Sequence, residues 1–358
     1  MQQAAYHFRT DGIPKSVTGL GHGQINDTYT VVTDTAAKYV LQRINTHVFK
    51  QPAELMQNVV AVSEHICRKE QGKEGASLHF IQADDGGFLY EDEADQFWRC
   101  YEFIDGFSME APGSDDDLYE CAAAFGRFQE QLSDFPADSL FVTIPDFHNT
   151  PKRFRDLRSA VDKDICRRAQ GVKEETDILL SMEREASVIQ TLLDNGAIPL
   201  RVTHNDTKFN NVLFDRDTGK AKCILDLDTV MPGSSLFDFG DAVRSGAAVS
   251  PEDSEDPEQM GLDLHLFEVY VRGYLSTYRD LTREEAEHLP DSAAAITLEL
   301  ASRFLRDYLE GDPSFKTEYS GHNLVRARAQ LSLAQDMIRK MPDMRSIVAK
   351  IQKIGTIY

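Results

Sequence analysis

A carboxylate, an ammonium group and an amide lie close together in residues 203–211 of this chain. Asp206 can accept or orient the proton of an attacking hydroxyl group. Lys208, two residues later, can stabilise negative charge that develops on a phosphate group. Asn211 offers a neutral oxygen to a hard cation such as Mg²⁺. Taken alone, the segment also fits a simple polar turn capped by Asp206 and Asn211.

Two further acids follow a short apolar run at residues 221–225. A hairpin would bring Asp226 back beside Asn211, and Mg²⁺ that bridges nucleotide phosphates needs only one or two carboxylates from the protein. Asp228 would then bind a second ion or hold the loop. The alternative is an exposed strand end with two solvated acids, but the order of the two clusters along the chain favours a metal site.

The first cluster follows the pattern H-x-D-x-K-x-x-N, which matches the catalytic loop of protein-kinase-like enzymes. This pattern predicts transfer of the γ-phosphate of ATP to a hydroxyl group, with Asp206 and Lys208 as the catalytic residues. The predicted ligands of Mg²⁺ are Asn211, Asp226 and Asp228.

Asp238 begins a literal Asp-Phe-Gly sequence, which is the metal-binding motif of protein kinases. It follows Pro-Gly-Ser-Ser at residues 232–235, and no strand is predicted immediately before it. We therefore predict that Asp238 is structural and accepts backbone N–H groups that stiffen the catalytic loop. His204 is also predicted to be structural, because its ring nitrogens can brace the loop just before Asp206.

The elements that must position these groups begin with a glycine-rich turn at residues 19–23. Backbone N–H groups at Gly21 and Gly23 can lie over the phosphates of a nucleotide, although an ordinary glycine hairpin has the same sequence. β-Rich runs follow at residues 28–33 and 38–44. Together they predict a hairpin with the glycines at its tip.

The second run places Gln42 and Arg43 where protein kinases carry the lysine that grips the α- and β-phosphates. Either Arg43 replaces that lysine, or it faces the surface and Lys208 and Mg²⁺ bind the phosphates. Glu102 and Ile104 lie where kinase-like folds connect their lobes. The backbone there is predicted to bind adenine.

The order of the elements predicts an α+β, protein-kinase-like two-lobed fold. Residues 1–105 are predicted to form a small nucleotide-binding lobe with a β-sheet and one main helix, at residues 53–67. Residues 106–358 are predicted to form a larger, mostly helical lobe for catalysis and acceptor binding, in which Pro145 and Pro151 bracket a loop. Apolar periodicity predicts its helices at residues 118–132, 183–194, 264–278, 293–309 and 324–352.

Composition excludes several classes of function. The 358 residues carry a net charge of −21, which repels nucleic acid and anionic membranes. The five cysteines include no Cys-x-x-Cys pair, so neither a disulfide framework nor a structural zinc site is expected. The first residues have no apolar signal segment, and no apolar run is long enough to span a membrane. A cytoplasmic protein is predicted, and no oligomeric state is.

Beyond these motifs, the chain resembles the aminoglycoside phosphotransferase and choline kinase superfamily over nearly its whole length. Within it, the resemblance is closest to bacterial N-acetylhexosamine 1-kinases. The stretches that carry it include residues 23–29, 147–151, 201–208, 225–229, 231–233, 236–241, 303–305, 307–312 and 322–326.

This resemblance implies an ATP- and Mg²⁺-dependent phosphotransferase that acts on an alcohol group, the anomeric hydroxyl of N-acetylglucosamine or N-acetylgalactosamine. It implies that Thr229 and Arg303 contact the sugar. Gln24 and Ser314 replace a histidine and a tyrosine of the family near the sugar, and both are expected to alter substrate choice.

Two other functions remain open at this stage. The first is another small-molecule hydroxyl kinase of the same superfamily, acting on a different sugar, choline, homoserine or methylthioribose. A choline site would need an aromatic cage for the cation. The second is a nucleotide-sensing pseudokinase, which the missing lysine suggests and which Asp206, Asn211 and Asp226 argue against.

Overall fold

The computed structural model describes residues 1–20, 25–72 and 75–355 of the chain. Within these ranges the strands are β1 (Pro14–Gly19), β2 (Asp27–Thr33), β3 (Lys38–Ile44), β4 (Tyr90–Glu91), β5 (Phe97–Glu102), β6 (Arg201–Thr203), β7 (Val212–Phe214), β8 (Ala221–Ile224) and β9 (Met231–Gly233). The α-helices are α1 (Gln2–Ala5), α2 (Pro52–Lys69), α3 (Asp115–Gln131), α4 (Thr150–Lys163), α5 (Lys173–Ser181), α6 (Glu183–Ala186), α7 (Val188–Asp194), α8 (Ser235–Gly246), α9 (Leu264–Thr277), α10 (Arg283–Glu287), α11 (Leu289–Glu310) and α12 (His322–Gly355).

The chain folds into two compact units. Unit 1 consists of Met1–Ser108, Asp134–Pro145 and Val212–Pro232. Unit 2 consists of Met109–Ser133, Asp146–Asn211 and Gly233–Tyr358. The sheet lies in unit 1 and most of the helices lie in unit 2, so the predicted α+β class, with a small N-terminal sheet and a larger helical C-terminal part, is confirmed.

Unit 1 contains a five-stranded antiparallel sheet in the order β1-β2-β3-β5-β4. In its centre, Gln42 on β3 lies opposite Arg99 on β5. Strands β7 and β8 form a separate hairpin, in which Val212 pairs with Ile224. Because Ile224 ends β8, this hairpin fixes where the loop with Asp226 begins.

The prediction for the first hairpin is wrong in one respect. Strands β2 and β3 pair as expected, but the residues that connect them are 34–37 and contain no glycine. The glycine-rich segment instead follows β1, a strand that the sequence did not predict. Strand β1 escaped prediction because only Pro14 in it is buried, so it lacks the apolar alternation of a half-buried strand.

Helix α2 matches its prediction and positions part of the candidate site. Its buried face contains Leu55, Val59, Val62 and Ile66 at helical spacing. The same face carries a buried amide, Asn58, which donates to the backbone carbonyl of Val230 at 3.0 Å. The helix therefore holds the end of the loop that contains the two acids after β8.

In unit 2, close contacts between helices build the scaffold. Helices α3 and α9 approach so closely that a β-carbon at Gly126 would lie 2.4 Å from the carbonyl oxygen of Tyr274. The long helix α11 packs against α12, α8 and α4. Its fully buried Leu298, Ala301 and Leu309 belong to one apolar core with residues of α4 and α12.

Two helix predictions in unit 2 need correction. The segment after Pro145 is not entirely a loop, because α4 begins at Thr150 with Pro151 in its first turn, where proline is favoured. Residues 183–194 form two short helices, α6 and α7, that break at Ser187. Among the described helices, none combines the length and apolarity needed to cross a membrane.

Candidate active site

The segment between β6 and β7 carries the first cluster of polar residues, and His204 is its buried anchor. The N–H of His204 donates to the Oδ2 atom of Asp238 at 2.8 Å. Its ring Nδ1 lies 3.3 Å from the backbone N–H of Asp206, which donates to it. Phe125 and Phe128 contact the ring edge-on, each with centroids 5.7 Å away. These contacts fix the backbone immediately before Asp206.

Asp238 lies in the first half of α8 and is buried. Its carboxylate accepts the backbone N–H groups of His204 at 2.8 Å and Asn205 at 2.7 Å, and the side-chain amide of Gln129 at 2.8 Å. Burial raises the pKa of Asp238 to about 6, against the opposing effect of His204 and the N–H donors. The Asp-Phe-Gly sequence thus lies in a helix, with its carboxylate directed at the catalytic loop.

Asp206, Lys208 and Asn211 lie together. The ammonium group of Lys208 is 2.9 Å from Oδ1 of Asp206. The amide nitrogen of Asn211 donates to the other carboxylate oxygen at 3.1 Å and to the Asp206 carbonyl at 2.9 Å. With its nitrogen engaged in this way, Asn211 has its side-chain oxygen left for a cation.

In unit 1, the two acids after β8 have different environments. Asp226 is exposed and has left-handed backbone geometry, with φ at 53°. Its side chain does not cap the short helical turn Leu227–Thr229 that follows. Asp228 is buried, forms an ion pair with Arg99 at 2.5 Å and accepts a hydrogen bond from Asn26 at 2.6 Å. Asp228 therefore fixes the loop, whereas Asp226 is an exposed residue.

Arg99 is a residue of this site that the motifs did not reveal. It lies on β5, and its guanidinium Nε donates to the side-chain oxygen of Gln42 at 3.0 Å. Burial lowers the pKa of Arg99, but the charge of Asp228 outweighs this effect and the pKa is raised overall. The signal in the sequence is an arginine between Trp98 and Cys100 in strand Phe97–Glu102, because a cation buried in a strand needs a buried anion.

Removing this cation should destabilise unit 1. An Arg99→Met variant is expected to lose about 3–5 kcal/mol of unfolding free energy, because it leaves Asp228 buried without its partner. The fluorescence of Trp98, the single tryptophan of the chain, reports unfolding of this unit in urea. Arg216→Met is the matched control in the same unit: it breaks an exposed ion pair with Asp105 and should cost less than about 0.5 kcal/mol. Equal losses in the two variants would contradict this role.

The residues predicted to bind ATP lie in unit 1. Arg43 forms an ion pair with Asp27 and donates to Gln96 at 3.3 Å, on a half-exposed part of the sheet. This arrangement favours the surface-facing alternative for Arg43. Glu102 ends β5, and the N–H of Ile104 just beyond it has no hydrogen-bond partner within the described residues. Gly21, Gly23 and Gln24 lie outside the described residues.

The residues predicted to contact the acceptor are divided between the units. Thr229 ends the helical turn after Asp226 in unit 1. In unit 2, the Arg303 guanidinium lies over the rings of Phe147, at 6.0 Å, and Phe315, at 5.4 Å. Ser314 is exposed beside Phe315, and its N–H donates to the carboxylate of Asp307 at 2.9 Å.

A buried acid lies one helical turn before Arg303. Glu299 accepts hydrogen bonds from Thr150 at 2.7 Å and from His148 at 3.1 Å, and it lies 3.9 Å from Arg303. Burial raises the pKa of Glu299, but the charge and hydrogen bond of His148 outweigh it and lower the pKa overall. Glu299 is therefore a fixed anion behind Arg303.

Within the described residues, no group of three or more His, Cys, Asp or Glu side chains is arranged to hold a metal ion alone. Mg²⁺ that binds mainly through nucleotide phosphates does not need such a group. The exposed carboxylate of Asp226 and the amide oxygen of Asn211 are the hard oxygen donors that such an ion prefers. Each of these two donors, taken separately, therefore has the chemistry that a magnesium–nucleotide complex requires.

Two kinds of comparison relate the chain to known proteins. Residues 16–289 match the APH family model, described as the phosphotransferase enzyme family. Among solved structures, the chain is similar to a microcompartment-associated aminopropanol kinase, with 19% identity, a TM-score of 0.65, and coverage of 96% of this chain and 97% of that chain.

It is also similar to an aminoglycoside phosphotransferase from Alicyclobacillus acidocaldarius, with 15% identity, a TM-score of 0.59, and coverage of 100% and 97% of the two chains. A choline kinase from Cryptosporidium parvum has 15% identity, a TM-score of 0.57, and coverage of 94% of this chain and 92% of that chain. At such low identity these similarities concern the fold, and they confirm the predicted kinase-like fold.

Proposed function

The chain belongs to the APH phosphotransferase enzyme family, and from this premise we propose that it uses ATP and Mg²⁺ to phosphorylate the anomeric hydroxyl of an N-acetylhexosamine. Family membership confirms the predicted superfamily and the phosphotransferase class. The sugar, N-acetylglucosamine or N-acetylgalactosamine, and its product, the sugar 1-phosphate, belong to the proposal.

In this proposal, Asp206 orients the attacking hydroxyl and accepts its proton. An anomeric hydroxyl is more acidic than an ordinary alcohol, so a carboxylate is an adequate base. Lys208 stabilises the charge on the transferred phosphoryl group, since its ammonium group already lies 2.9 Å from Asp206. His204 and Asp238 act as positioning residues, because they hold the backbone that carries Asp206.

We assign the metal to Asn211 and Asp226. Asn211 immediately precedes β7, and Asp226 follows β8, the strand paired with β7. Mg²⁺ in such a site neutralises charge on the nucleotide phosphates. Asp228 was predicted to bind a second ion or to hold the loop, and its contacts with Arg99 and Asn26 favour the second role.

The nucleotide would bind along unit 1. The backbone of Glu102 and Ile104 is assigned to adenine. The N–H of Ile104, which has no hydrogen-bond partner among the described residues, supports that assignment. The backbone of Gly21 and Gly23 is assigned to the phosphates. Because Arg43 is engaged by Asp27 and Gln96, Lys208 and Mg²⁺ take the role of the usual phosphate-binding lysine.

One observation favours a neutral acceptor over a cationic one. Choline and amino alcohols, the acceptors named for several similar structures, carry a positive charge, and choline is typically bound on aromatic faces. Here the faces of Phe147 and Phe315 are already occupied by the guanidinium of Arg303. A second cation would meet repulsion, whereas sugar and N-acetyl oxygens can accept hydrogen bonds from Arg303. Thr229, Ser314 and Gln24 complete the proposed acceptor contacts.

The test is a screen of acceptors with Mg·ATP. The panel contains N-acetylglucosamine, N-acetylgalactosamine, glucose, galactose, choline, ethanolamine and homoserine, and consumption of ATP is measured for each. We expect the N-acetylhexosamines to give the highest kcat/KM. The ³¹P NMR signal of the product should couple to the anomeric proton.

Three other outcomes would contradict the proposal. Turnover with only the cationic acceptors would replace the sugar with an amino alcohol. Phosphorylation of a sugar at a non-anomeric hydroxyl would retain the substrate class but reject the product. Binding of Mg·ATP without turnover on any acceptor would support a pseudokinase.

A further inference from the structure

Helix α8 carries a second acid on the face that holds the catalytic loop. Asp238 and Asp241 are three residues apart, so their side chains lie on the same side of the helix. Asp238 uses its carboxylate to bind the backbone of His204 and Asn205. Within the described part of the chain, Asp241 has no hydrogen bond to this loop, and its carboxylate pairs with a different residue.

That partner is Arg244, which holds one carboxylate oxygen only. The guanidinium Nε and Nη2 atoms donate to Oδ1 of Asp241 at 3.0 and 2.9 Å. Arg244 is itself buried and fixed by Glu252 at 2.6 Å. The Oδ2 atom of Asp241 receives no hydrogen bond from the described part of the chain. The side chain is 16% exposed, so a bound molecule could reach it. Asp241 is therefore a rigid carboxylate with one oxygen available.

Asp241 interacts electrostatically with residues assigned above to catalysis and acceptor binding. Burial raises the pKa of Asp241, but Arg244 outweighs this effect, and the charges of His148 and Lys208 lower the pKa further. The charge of Asp241 in turn acts on Arg303. Asp238, one turn earlier on the same face of α8, binds the loop that carries Asp206 and Lys208. Asp241 is therefore on the face of the helix that is turned to the catalytic loop, where a carboxylate could meet an acceptor molecule if Lys208 and Arg303 have their assigned roles.

We propose that Asp241 is a specificity-determining residue that accepts a hydrogen bond, through Oδ2, from a hydroxyl group of the acceptor other than the one phosphorylated. Arg303 supplies donors to the same molecule and Asp241 supplies the acceptor atom. Together they select a neutral polyol that offers both oxygen lone pairs and free hydroxyl groups. This inference rests on the proposed function, because it deepens the choice of substrate.

The test variant is Asp241→Asn. Its amide oxygen can still accept from Arg244, but the atom that replaces Oδ2 becomes a donor. We expect the KM for the acceptor to rise roughly 10- to 100-fold, as for loss of a hydrogen bond to a charged group. The KM for ATP and the melting temperature should stay close to the wild-type values.

Glu252→Gln is the matched control, because it weakens the support of Arg244 without changing Asp241. It should leave the KM for the acceptor within about twofold of the wild-type value. A rise in KM that is equal in both variants would show that Asp241 only supports the fold, and an unchanged KM in Asp241→Asn would overturn the inference.

Monodeoxy analogues of the best sugar give a readout that a structural role would not move. With the wild-type enzyme, the kcat/KM of one analogue should be roughly 10-fold or more below that of the parent sugar. With Asp241→Asn, the same analogue and the parent sugar should have nearly equal kcat/KM values. The reason is that the missing hydroxyl and the missing acceptor atom belong to one contact. Equal losses for every analogue in both proteins would overturn the inference.

If the screen instead identifies an amino alcohol as the acceptor, the proposed function fails. The same two variants measured with that acceptor still decide the role of Asp241. A selective rise in its KM in Asp241→Asn would retain Asp241 as an acceptor contact, and no rise would reject it.

Discussion

Asp206→Asn is expected to lower kcat by about 10²- to 10⁴-fold, the usual contribution of a positioned general base. Asn has nearly the same shape and can still orient a hydroxyl, but it cannot accept its proton. The loss should appear in kcat, while the KM for ATP changes little, because Asp206 is not assigned to the nucleotide. Steady-state kinetics with a coupled assay for ADP measures both constants.

The matched control for this charge change is Asp217→Asn, at an exposed position with the same substitution. Its kcat should equal that of the wild-type enzyme. Asp206→Asn must also retain the wild-type melting temperature, so that lost activity is not lost folding. A variant with full kcat would reject the assigned role of Asp206.

Asp226→Asn is expected to have the second large effect, a loss of about 10²- to 10³-fold in kcat/KM together with a higher requirement for Mg²⁺. The exposed carboxylate at the end of β8 is the charged ligand assigned to the ion, and an amide attracts a divalent cation less strongly. Titration of activity with Mg²⁺ at fixed ATP should show the midpoint moving to higher concentration. Added Mg²⁺ should recover part of the activity.

Asp228→Asn, two residues away, is the contrasting variant. Because Asp228 pairs with the buried Arg99, its substitution should lower stability, and the Mg²⁺ midpoint of the folded enzyme should remain near the wild-type value. If Asp228→Asn moved the Mg²⁺ midpoint and Asp226→Asn did not, the two roles would have to be exchanged.

The local contacts of the site could be predicted from sequence, because they depend on short spacings. Asp206, Lys208 and Asn211 lie within six residues, and one turn of chain brings their side chains together. The prediction that Asp238 is structural rests on its neighbours in the sequence. Its burial under three N–H donors is consistent with that expectation.

The contacts that the sequence did not reveal join residues far apart in the chain. Arg99 reaches Gln42 because β3 and β5 are neighbours, and nothing local to either residue encodes this pairing. Arg43 stands next to Gln42 in the sequence, but successive strand residues face opposite sides of a sheet, so Arg43 does not share the environment of Gln42 and Arg99.

Strand β1 and helix α4 show a different limit. Residues 14–19 have almost no buried side chains, so the apolar pattern that identifies most strands is absent. Pro151 was interpreted as a loop residue, although proline is equally suited to the first turn of a helix. In both segments the tertiary contacts, rather than the local pattern, decide the structure.

The most direct measurement of the central claim is a crystal structure of the protein with Mg²⁺ and a non-hydrolysable ATP analogue. We predict one Mg²⁺ bound by the phosphates, by the side-chain oxygen of Asn211 and by the carboxylate of Asp226, with metal–oxygen distances of about 2.0–2.1 Å. A nucleotide-bound ion that contacts neither residue, or an Asp206 carboxylate remote from the γ-phosphate, would contradict the claim.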